Sequence, residues 1–220
     1  MSLPDQIPLP LKRALEAKGY AELTPVQSAM LEPDTAGADL LVSAQTGSGK
    51  TVAFGMAIAD TLLAGKDTLG IAVQPMALVV APTRELALQV RRELEWLYAD
   101  AGAKMASCVG GMEMRKEIRA LQQGAHIVVG TPGRLRDHIT RGSLDLEGLR
   151  AVVLDEADEM LDLGFREDLE FILDASPKER RTLMFSATVP AQIGKMAAKY
   201  QRDAMRIATA GEKKQHADIE

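Results

Sequence analysis

Four acidic side chains follow directly on a short apolar segment. In "AVVLDEADEM", residues 151–160, β-branched and aliphatic residues run up to Asp155, and then come Glu156, Asp158 and Glu159. The apolar run predicts a fully buried strand. Carboxylates this close repel one another, so a cation, a metal ion or water must compensate for their charge. Which of the three does so determines what chemistry the segment can perform.

A glycine-rich segment supplies the second set of chemical groups. "AQTGSGKT", residues 44–51, lies between an apolar run and a helical pattern and matches a phosphate-binding loop, with alanine in place of the usual first glycine. Gly47 and Gly49 let backbone N–H groups approach phosphate oxygens. Lys50 can reach the β- and γ-phosphates, and Thr51 offers a hydroxyl to Mg²⁺. The alternative is a glycine-rich turn with an accidental Gly-Lys-Thr, which the strand–loop–helix context argues against. The other loop positions expected to bind the nucleotide are Ala44, Gln45, Thr46 and Ser48.

Short apolar runs recur along the chain, and most are followed by a helical pattern. The runs predict strands over residues 39–44, 76–81, 126–130, 149–155 and 181–187, and the periodic segments predict helices over about 50–63, 84–98, 133–140 and 190–200. Unalternating strands interleaved with helices predict an α/β fold, a parallel β-sheet with helices on both faces.

The predicted sheet brings the two chemical segments together. In an open parallel sheet, ligands bind at the carboxyl ends of the strands, and both segments follow such an end. Asp155 can then hold Mg²⁺, directly or through water. Glu156 can orient or deprotonate an attacking water. A solvated acidic turn is the alternative for these residues.

Composition limits the class of protein. The chain has 220 residues, 46% hydrophobic and 26% charged, which suits one large domain or two small ones with a sizeable core. Its net charge of −5 gives no global basic field, so nucleic acid would need a local cationic patch. Cys108 is the one cysteine, and it shares no metal-ligand spacing with His126, His138 or His216, so we expect neither a disulfide nor a zinc site. Without a leader or an apolar run of about 20 residues, we expect a soluble cytoplasmic protein and no membrane partner.

The end of the chain loses the apolar rhythm. The segment "GEKKQHADIE", residues 211–220, is charged and polar throughout most of its length. We therefore predict an ATP-binding domain over residues 1–208 and the start of an interdomain linker over 209–220.

Taken together, the motifs resemble those of the N-terminal RecA-like domain of the DEAD-box ATP-dependent RNA helicases. The resemblance spans residues 19–188, and the "DEAD" of 155–158 gives that family its name. The other signatures occur in the family's order: "GYAELTPVQ" (19–27), "AQTGSGKT" (44–51), "PTRELA" (82–87), the glycine pair 110–111, "TPGR" (131–134) and "SAT" (186–188).

The resemblance implies ATP and Mg²⁺ as cofactors and a role for each matching residue. Gln27 would read the adenine edge with its amide, and Tyr20 and Thr24 would flank that pocket. Lys50, Asp155 and Glu156 would be catalytic, with Thr51 and Asp155 at the metal. The residues that couple nucleotide state to domain closure would be Asp158, Ser186 and Thr188.

The resemblance also implies RNA as a partner. Contacts to phosphates and sugars rather than base edges would make binding independent of sequence. The residues at the matching positions are Thr83, Arg84, Gly111, Thr131, Gly133 and Arg134.

Two features depart from the family pattern. The first ten residues contain no Phe, Tyr or Trp to stack on adenine, so either an aliphatic residue such as Ile7 serves or adenine affinity is reduced. The "HRxGRxxR" arginine-finger motif of the second RecA-like domain is also absent from these 220 residues. We therefore expect this chain to bind nucleotide, to bind RNA weakly and to unwind nothing without that second domain.

Two other classes stay open. One is a different P-loop enzyme, such as a DNA translocase or a nucleotide switch, although it would need neither Gln27 in its Thr-Pro context nor "TPGR". The other is an RNA-binding scaffold with a relic nucleotide site, against which the four intact residues Lys50, Thr51, Asp155 and Glu156 argue.

Overall fold

Seven parallel strands form one sheet in residues 2–209, the part of the chain that the computed structural model describes. The strands are β1 (Leu40–Ser43), β2 (Ala77–Val80), β3 (Met105–Cys108), β4 (Ile127–Gly130), β5 (Ala151–Leu154), β6 (Arg181–Ser186) and β7 (Met205–Ala208). Their order across the sheet is β3-β4-β2-β5-β6-β1-β7, and each neighbouring pair is parallel.

Helices connect the strands. They are α1 (Leu9–Ala17), α2 (Pro25–Ala29), α3 (Lys50–Leu63), α4 (Arg84–Leu97), α5 (Met114–Gln122), α6 (Pro132–Thr140), α7 (Ala157–Asp162), α8 (Arg166–Ala175) and α9 (Ala191–Tyr200). Among residues 2–209, none of these helices is long and apolar enough to cross a membrane.

Both faces of the sheet are buried. Successive residues of a strand point to opposite faces, and Leu78 and Val79 of β2 accordingly belong to two separate hydrophobic clusters. The cluster around Val79 includes α1, α3 and α4, whereas the cluster around Leu78 includes α6, α8 and α9. This arrangement confirms the predicted fold class, a parallel sheet with helices on both faces.

The predicted elements are present, and two strands were missed. The five predicted strands and four predicted helices lie within two residues of β1, β2, β4, β5, β6 and of α3, α4, α6, α9. The missed strands, β3 and β7, form the two edges of the sheet, and in each of them more and less exposed residues alternate. A short alternating segment carries a weaker apolar signal than a strand buried on both faces.

The amino ends of β1, β6 and β7 are joined by two polar side chains. Asp39 accepts hydrogen bonds from the backbone N–H of Thr182 (2.8 Å) and of Arg202 (2.7 Å). The amide of Gln201 donates to the carbonyls of Leu40 and Thr182, both at 2.8 Å. These contacts hold together the amino ends of the strands, whereas the predicted site lies at their carboxyl ends.

Arg181, at the start of β6, belongs to the same edge. Its side chain is 5% exposed and donates to the backbone carbonyls of Thr35, Ala38 and Ala57. A guanidinium has five donors in a rigid planar arrangement, so one side chain can satisfy several carbonyls at once. It thereby joins β6 to α3 and to the segment before β1.

The predicted linker falls almost entirely on residues 210–220, which lie outside the described residues. The predicted boundary after residue 208 therefore stays a prediction, although β7 ends at Ala208.

Candidate nucleotide site and nucleic-acid interface

The strand order divides the predicted site residues into two groups along the carboxyl edge of the sheet. The neighbouring strands β1, β6 and β5 lead into the glycine-rich loop, the "SAT" segment and the acidic turn. On the other half, β2, β4 and β3 lead into Thr83–Arg84, into 131–134 and into the glycine pair 110–111. The nucleotide-type and RNA-type motifs therefore occupy adjacent halves of one edge.

The glycine-rich loop follows β1 and opens α3. Gly47 and Gly49 have φ of 80° and 78°, a left-handed backbone that favours glycine. The loop borders a cavity of about 330 Å³. The residues that line the cavity are Thr24, Pro25, Val26, Ser43, Ala44, Gln45, Thr46, Gly47, Ser48 and Thr209.

Thr24 and Gln27 hold the glycine-rich loop through hydrogen bonds to its backbone carbonyls. They form a capping box at the start of α2, in which the Thr24 N–H donates to Gln27 Oε1 at 3.0 Å. Gln27 Nε2 then donates to the carbonyl of Gly49 (3.1 Å), and Thr24 Oγ1 donates to that of Ser48 (2.8 Å). A methyl group on Gly49 would collide with the Gln27 amide nitrogen. Gln27 is only 1% exposed, so its hydrogen bond to the loop is shielded from water.

Tyr20, predicted to flank the adenine pocket, and Ile7, considered for base stacking, both pack against other parts of the protein. Tyr20 is not among the residues that line this cavity, and its ring lies 6.0 Å from that of Trp96. Ile7 is 2% exposed and packs in the hydrophobic core. Of the three predicted adenine-pocket residues, the structure brings Thr24 and Gln27 to the loop.

Lys50 compensates for the acidic turn after β5. Its Nζ lies 3.3 Å from Asp155 Oδ1 and 3.3 Å from Glu156 Oε1. Lys50 is 7% exposed and Asp155 is 1% exposed, so both charges are taken out of water. The Lys50 ammonium is therefore one source of compensation for these carboxylates.

Asp155 has few other partners. Lys50 is its ion-pair partner, and neither carboxylate oxygen has a well-aligned hydrogen bond among the described residues. Burial raises the pKa of Asp155, and the Lys50 ammonium opposes this only in part. A buried carboxylate with a raised pKa gains stability when a further cation binds to it.

The Asp155 carboxylate and the Thr51 hydroxyl fit Mg²⁺ in chemical type, because this ion prefers hard oxygen ligands. Residues 2–209 contain no group of three or more His, Cys, Asp or Glu side chains that could form an all-protein cage. Mg²⁺ is typically held by one or two carboxylates together with water and substrate phosphates. The donor set is therefore of the kind that binds the ion with a nucleotide.

Glu156 and Glu159 form a second pair in the turn. Glu156 has φ of 50° and ψ of 51°, a strained conformation for a residue other than glycine. A hydrogen bond with the Glu156 side chain, together with burial and the nearby negative charges, raises the pKa of Glu159 to about 7. The Glu159 carboxyl therefore takes up a proton near neutral pH.

Asp158 joins the acidic turn to the segment after β6. Its Oδ2 accepts hydrogen bonds from the Thr188 N–H (3.0 Å) and hydroxyl (2.9 Å), and Ser186 Oγ accepts from the Asp158 N–H at 3.3 Å. Burial raises the pKa of Asp158, but the hydrogen bonds from Thr188 and Ser186 outweigh it, so the pKa is lowered overall. The three predicted coupling residues therefore lie in direct contact.

On the other half of the edge, Arg84 and Gly111 lie side by side. Thr83 caps α4 by accepting the Leu86 N–H at 3.2 Å, which leaves Arg84 exposed at the helix start. Gly111 has φ of 78°, and a methyl group there would lie 2.7 Å from the Arg84 guanidinium. The predicted residues from β2 and β3 thus meet.

Thr131, Gly133 and Arg134 begin α6. Gly133 is exposed, whereas the Arg134 side chain is only 16% exposed and pairs with Glu117 at 3.1 Å. Glu117 in turn lies 2.9 Å from His138. Neither partner was predicted to belong to this site, because no spacing rule relates α5 to α6.

A parallel sheet with this loop after β1 and an acidic turn at a nearby strand end defines a RecA-like P-loop domain. The DEAD/DEAH box helicase family profile matches residues 24–196. This match covers well over half of the chain, and the chain belongs to that family.

Similar proteins agree with this assignment. DEAD-box ATP-dependent RNA helicase 9 of Oryza sativa subsp. japonica is 45% identical over 199 residues, and the helicase CshA of Geobacillus kaustophilus is 46% identical over 191. The crystal structure of a DEAD box protein from Methanococcus jannaschii has a TM-score of 0.81 at 38% identity, covering 94% of this chain and 54% of that one.

This chain is shorter than its relatives. The two matches cover 90% and 87% of this chain but only 31% and 40% of the respective relatives. The chain thus corresponds to less than half of each relative.

Proposed function

We propose that this chain is the ATP-binding part of an ATP-dependent RNA helicase that locally separates RNA duplexes. The observation that carries the proposal is the position of Lys50, whose ammonium lies 3.3 Å from both Asp155 and Glu156 at the end of the phosphate-binding loop. The names of the relatives, which are ATP-dependent RNA helicases, support ATP and RNA as the ligands.

In the proposed mechanism, nucleotide binding redistributes the charges around Lys50. The ammonium would turn from the carboxylates to the β- and γ-phosphates. Asp155 and Thr51 would hold Mg²⁺, which neutralises charge on the phosphates when bound. Glu156, whose carboxylate is 17% exposed and borders Lys50, would orient the attacking water and accept its proton.

Coupling to RNA would run through Asp158. Its hydrogen bonds to Thr188 join the acidic turn to the end of β6, so a change at Asp155 reaches the "SAT" segment through one turn of chain. A second RecA-like domain would close over this edge and contribute arginine fingers, worth ~10³–10⁵ in turnover in phosphoryl-transfer sites. RNA-stimulated hydrolysis by residues 1–220 on the order of 1 s⁻¹ would overturn this division of labour.

RNA would bind across the ends of β2, β3 and β4. Arg84 is exposed there beside Gly111, and Thr131 and Gly133 lie at the start of α6. Such groups reach phosphates and sugars and carry no base-specific readout. We further propose a cytoplasmic location, which the single, fully buried Cys108 supports.

The experiment is displacement of a fluorescent ADP from the chain by adenine and guanine nucleotides, with Mg²⁺ present. We expect a strong preference for adenine that is lost in Gln27→Ala. Because Gln27 also donates a hydrogen bond to the Gly49 carbonyl, the substitution should weaken the binding of both adenine and guanine nucleotides. The ratio of the two affinities therefore isolates base recognition from damage to the loop.

Other outcomes favour other classes. Equal affinity for adenine and guanine in the wild-type chain would contradict base recognition and favour a different P-loop enzyme. DNA binding as tight as RNA binding would point the same way. If Lys50→Ala left RNA remodelling by the complete protein unchanged, the nucleotide site would be a relic.

A further inference from the structure

The carboxylate of Glu117 lies buried beneath the predicted RNA-binding residues. Glu117 is 5% exposed and stands on α5. Its Oε2 accepts the backbone N–H of Val109 at 2.8 Å. Its Oε1 accepts Nη1 of Arg134 at 3.1 Å and lies 2.9 Å from Nε2 of His138. One side chain therefore contacts the end of β3 and two positions of α6.

His138 has a polar partner at each ring nitrogen. It is fully buried, and its Nδ1 lies 2.7 Å from the hydroxyl of Ser143. An ionised carboxylate can only accept hydrogen bonds, so Nε2 of His138 must carry a proton toward Glu117. The Ser143 hydroxyl lies within hydrogen-bond distance of both the other ring nitrogen and the His138 carbonyl (3.2 Å). Because contacts on both sides hold the His138 ring in place, the ring in turn holds the Glu117 carboxylate against α6.

The two segments joined by Glu117 are those proposed to hold RNA. Val109 directly precedes the glycine pair 110–111, and Arg134 ends the "TPGR" segment. β3 and β4 are hydrogen-bonded neighbours, so the loops that follow them lie next to each other at the carboxyl edge. A backbone hydrogen bond from the Thr131 N–H to the Cys108 carbonyl (3.0 Å) joins their starts, and Glu117 adds the side-chain link from Val109 to Arg134.

We propose that Glu117 is a positioning residue of the RNA-binding face. It fixes Arg134 and the loop of residues 109–111 in the geometry that contacts the RNA backbone. This role rests on the proposed RNA binding. Glu117 itself is buried and does not touch RNA, and its charge is compensated by Arg134 rather than presented to the phosphates.

This role predicts an effect opposite in sign to simple electrostatics. Removing a carboxylate from a surface that binds a polyanion normally strengthens binding, because repulsion of the phosphates is removed. Removing the Glu117 charge should weaken binding instead, since Arg134 and residues 109–111 lose their common anchor.

Glu113 provides the matched control. It lies four residues earlier, at the start of α5, and its exposed side chain contacts only the exposed Lys116, at 3.2 Å among the described ion pairs. Glu113→Gln therefore removes the same charge from the same part of the surface without disturbing the buried group. The two glutamine variants differ in position but not in charge.

The experiment titrates the 220-residue chain into a fluorescently labelled single-stranded oligoribonucleotide and follows anisotropy at several salt concentrations. Glu113→Gln should bind as tightly as the wild type or more tightly. Glu117→Gln should bind about tenfold more weakly, the effect of one charge-assisted hydrogen bond. The slope of its log affinity against log salt concentration should also be less steep by about 0.7, which corresponds to the loss of one phosphate contact to a single strand.

A double-mutant cycle tests whether Glu117 acts through Arg134. We expect Arg134→Gln to weaken binding by a similar factor and the double variant to be little weaker than either single one. Additive losses would contradict action through Arg134. Thermal unfolding and displacement of fluorescent ADP should show that Glu117→Gln is folded, because the nucleotide loop is on the other half of the edge.

Glu117→Asp keeps the charge and is the second variant should the glutamine variant not fold. Its carboxylate is one methylene shorter and cannot reach both Val109 and Arg134, so RNA binding should still weaken. If Glu117→Gln tightens binding as Glu113→Gln does, or Glu117→Asp binds like the wild type, the positioning role is wrong. If the wild-type chain binds no RNA at all, the proposed function fails first, which is a distinct result.

Discussion

Asp155→Asn should stabilise the protein while removing the group that we assign to metal binding. The wild-type carboxylate is 1% exposed, and its partner is the Lys50 ammonium at 3.3 Å, with no well-aligned hydrogen bond among the described residues. Burial raises its pKa, which means that the folded state disfavours the ionised form. Asparagine has nearly the same shape and no charge. Lys50 would keep its contact with Glu156, so the substitution leaves no unpaired cation.

The magnitude follows from the cost of a poorly satisfied buried group. A buried polar atom that lacks a well-aligned hydrogen bond costs up to about 1–3 kcal/mol, and asparagine recovers only part of this because its own amide needs acceptors. We therefore expect the free energy of unfolding to rise by roughly 1–2 kcal/mol at neutral pH. For a domain of this size, each kcal/mol shifts the melting temperature by about 2–4 °C.

The pH dependence gives the sign an independent check. The folded-state pKa of Asp155 lies above its ordinary value of 3.8, so its contribution to stability is full below 3.8 and is lost as pH rises through the folded pKa. At low pH the protonated aspartic acid and asparagine are alike. The difference in stability between variant and wild type should therefore narrow on acidification.

Asp158→Asn is the matched control three residues away. Asp158 accepts two hydrogen bonds from Thr188 at Oδ2 and the Glu159 N–H at Oδ1 (3.0 Å), and asparagine can accept on one side only. This variant should lose about 1–2 kcal/mol. Its lowered pKa also means that the contribution of Asp158 is present above 3.8 and lost as pH falls through the folded pKa.

The assay is urea unfolding of the three proteins in EDTA at several pH values, repeated with Mg²⁺ and ADP. Ligand should stabilise the wild type more than Asp155→Asn, because only the wild type keeps the carboxylate for the metal. A less stable Asp155→Asn in EDTA would refute the claim that this acid is held at a cost. Equal stabilisation by Mg²⁺ and ADP would refute its role at the metal.

Three further predictions concern single side chains. Gly49→Ala should lower the free energy of unfolding in urea by about 1–2 kcal/mol and weaken the binding of fluorescent ADP. Residue 49 has a left-handed φ of 78°, and the new methyl group would collide with Gln27. Glu159 has a folded pKa of about 7, above 4.5, so wild-type stability should fall as pH rises between these values, and Glu159→Gln should show less of this loss. Arg181→Met should cost roughly 3 kcal/mol in urea unfolding, since three carbonyls each lose one donor.

The fold was predictable where a strand is buried on both faces. Such strands carry short continuous apolar runs, and β1, β2, β4, β5 and β6 each contain one, although β6 begins and ends with polar residues. The edge strands β3 and β7 were missed because each has one neighbour and contains partly exposed or exposed residues at alternate positions. Strand order itself depends on packing between distant segments, which local periodicity does not encode.

The candidate site was predictable to the extent that topology relates distant residues. Lys50 and Asp155 are 105 positions apart, yet both follow strands of a parallel sheet, so their meeting was expected. Thr24 and Gln27 carry the local spacing of a capping box, which was a usable signal for α2. Nothing of this kind links Glu117 to Arg134 and His138. Their contact arises only when α5 packs beside α6.

The polar clamp around Arg181, Asp39 and Gln201 implies an uneven resistance to local opening. At the amino ends, these side chains hold the backbone of β1, β6 and the segment before β7, whereas the carboxyl end of β1 leads into a loop in which Gly47 and Gly49 have a left-handed backbone. Hydrogen exchange should therefore be slowest at the amino ends of these strands and faster toward their carboxyl ends. The loops that meet a ligand can then rearrange while the register beneath them persists.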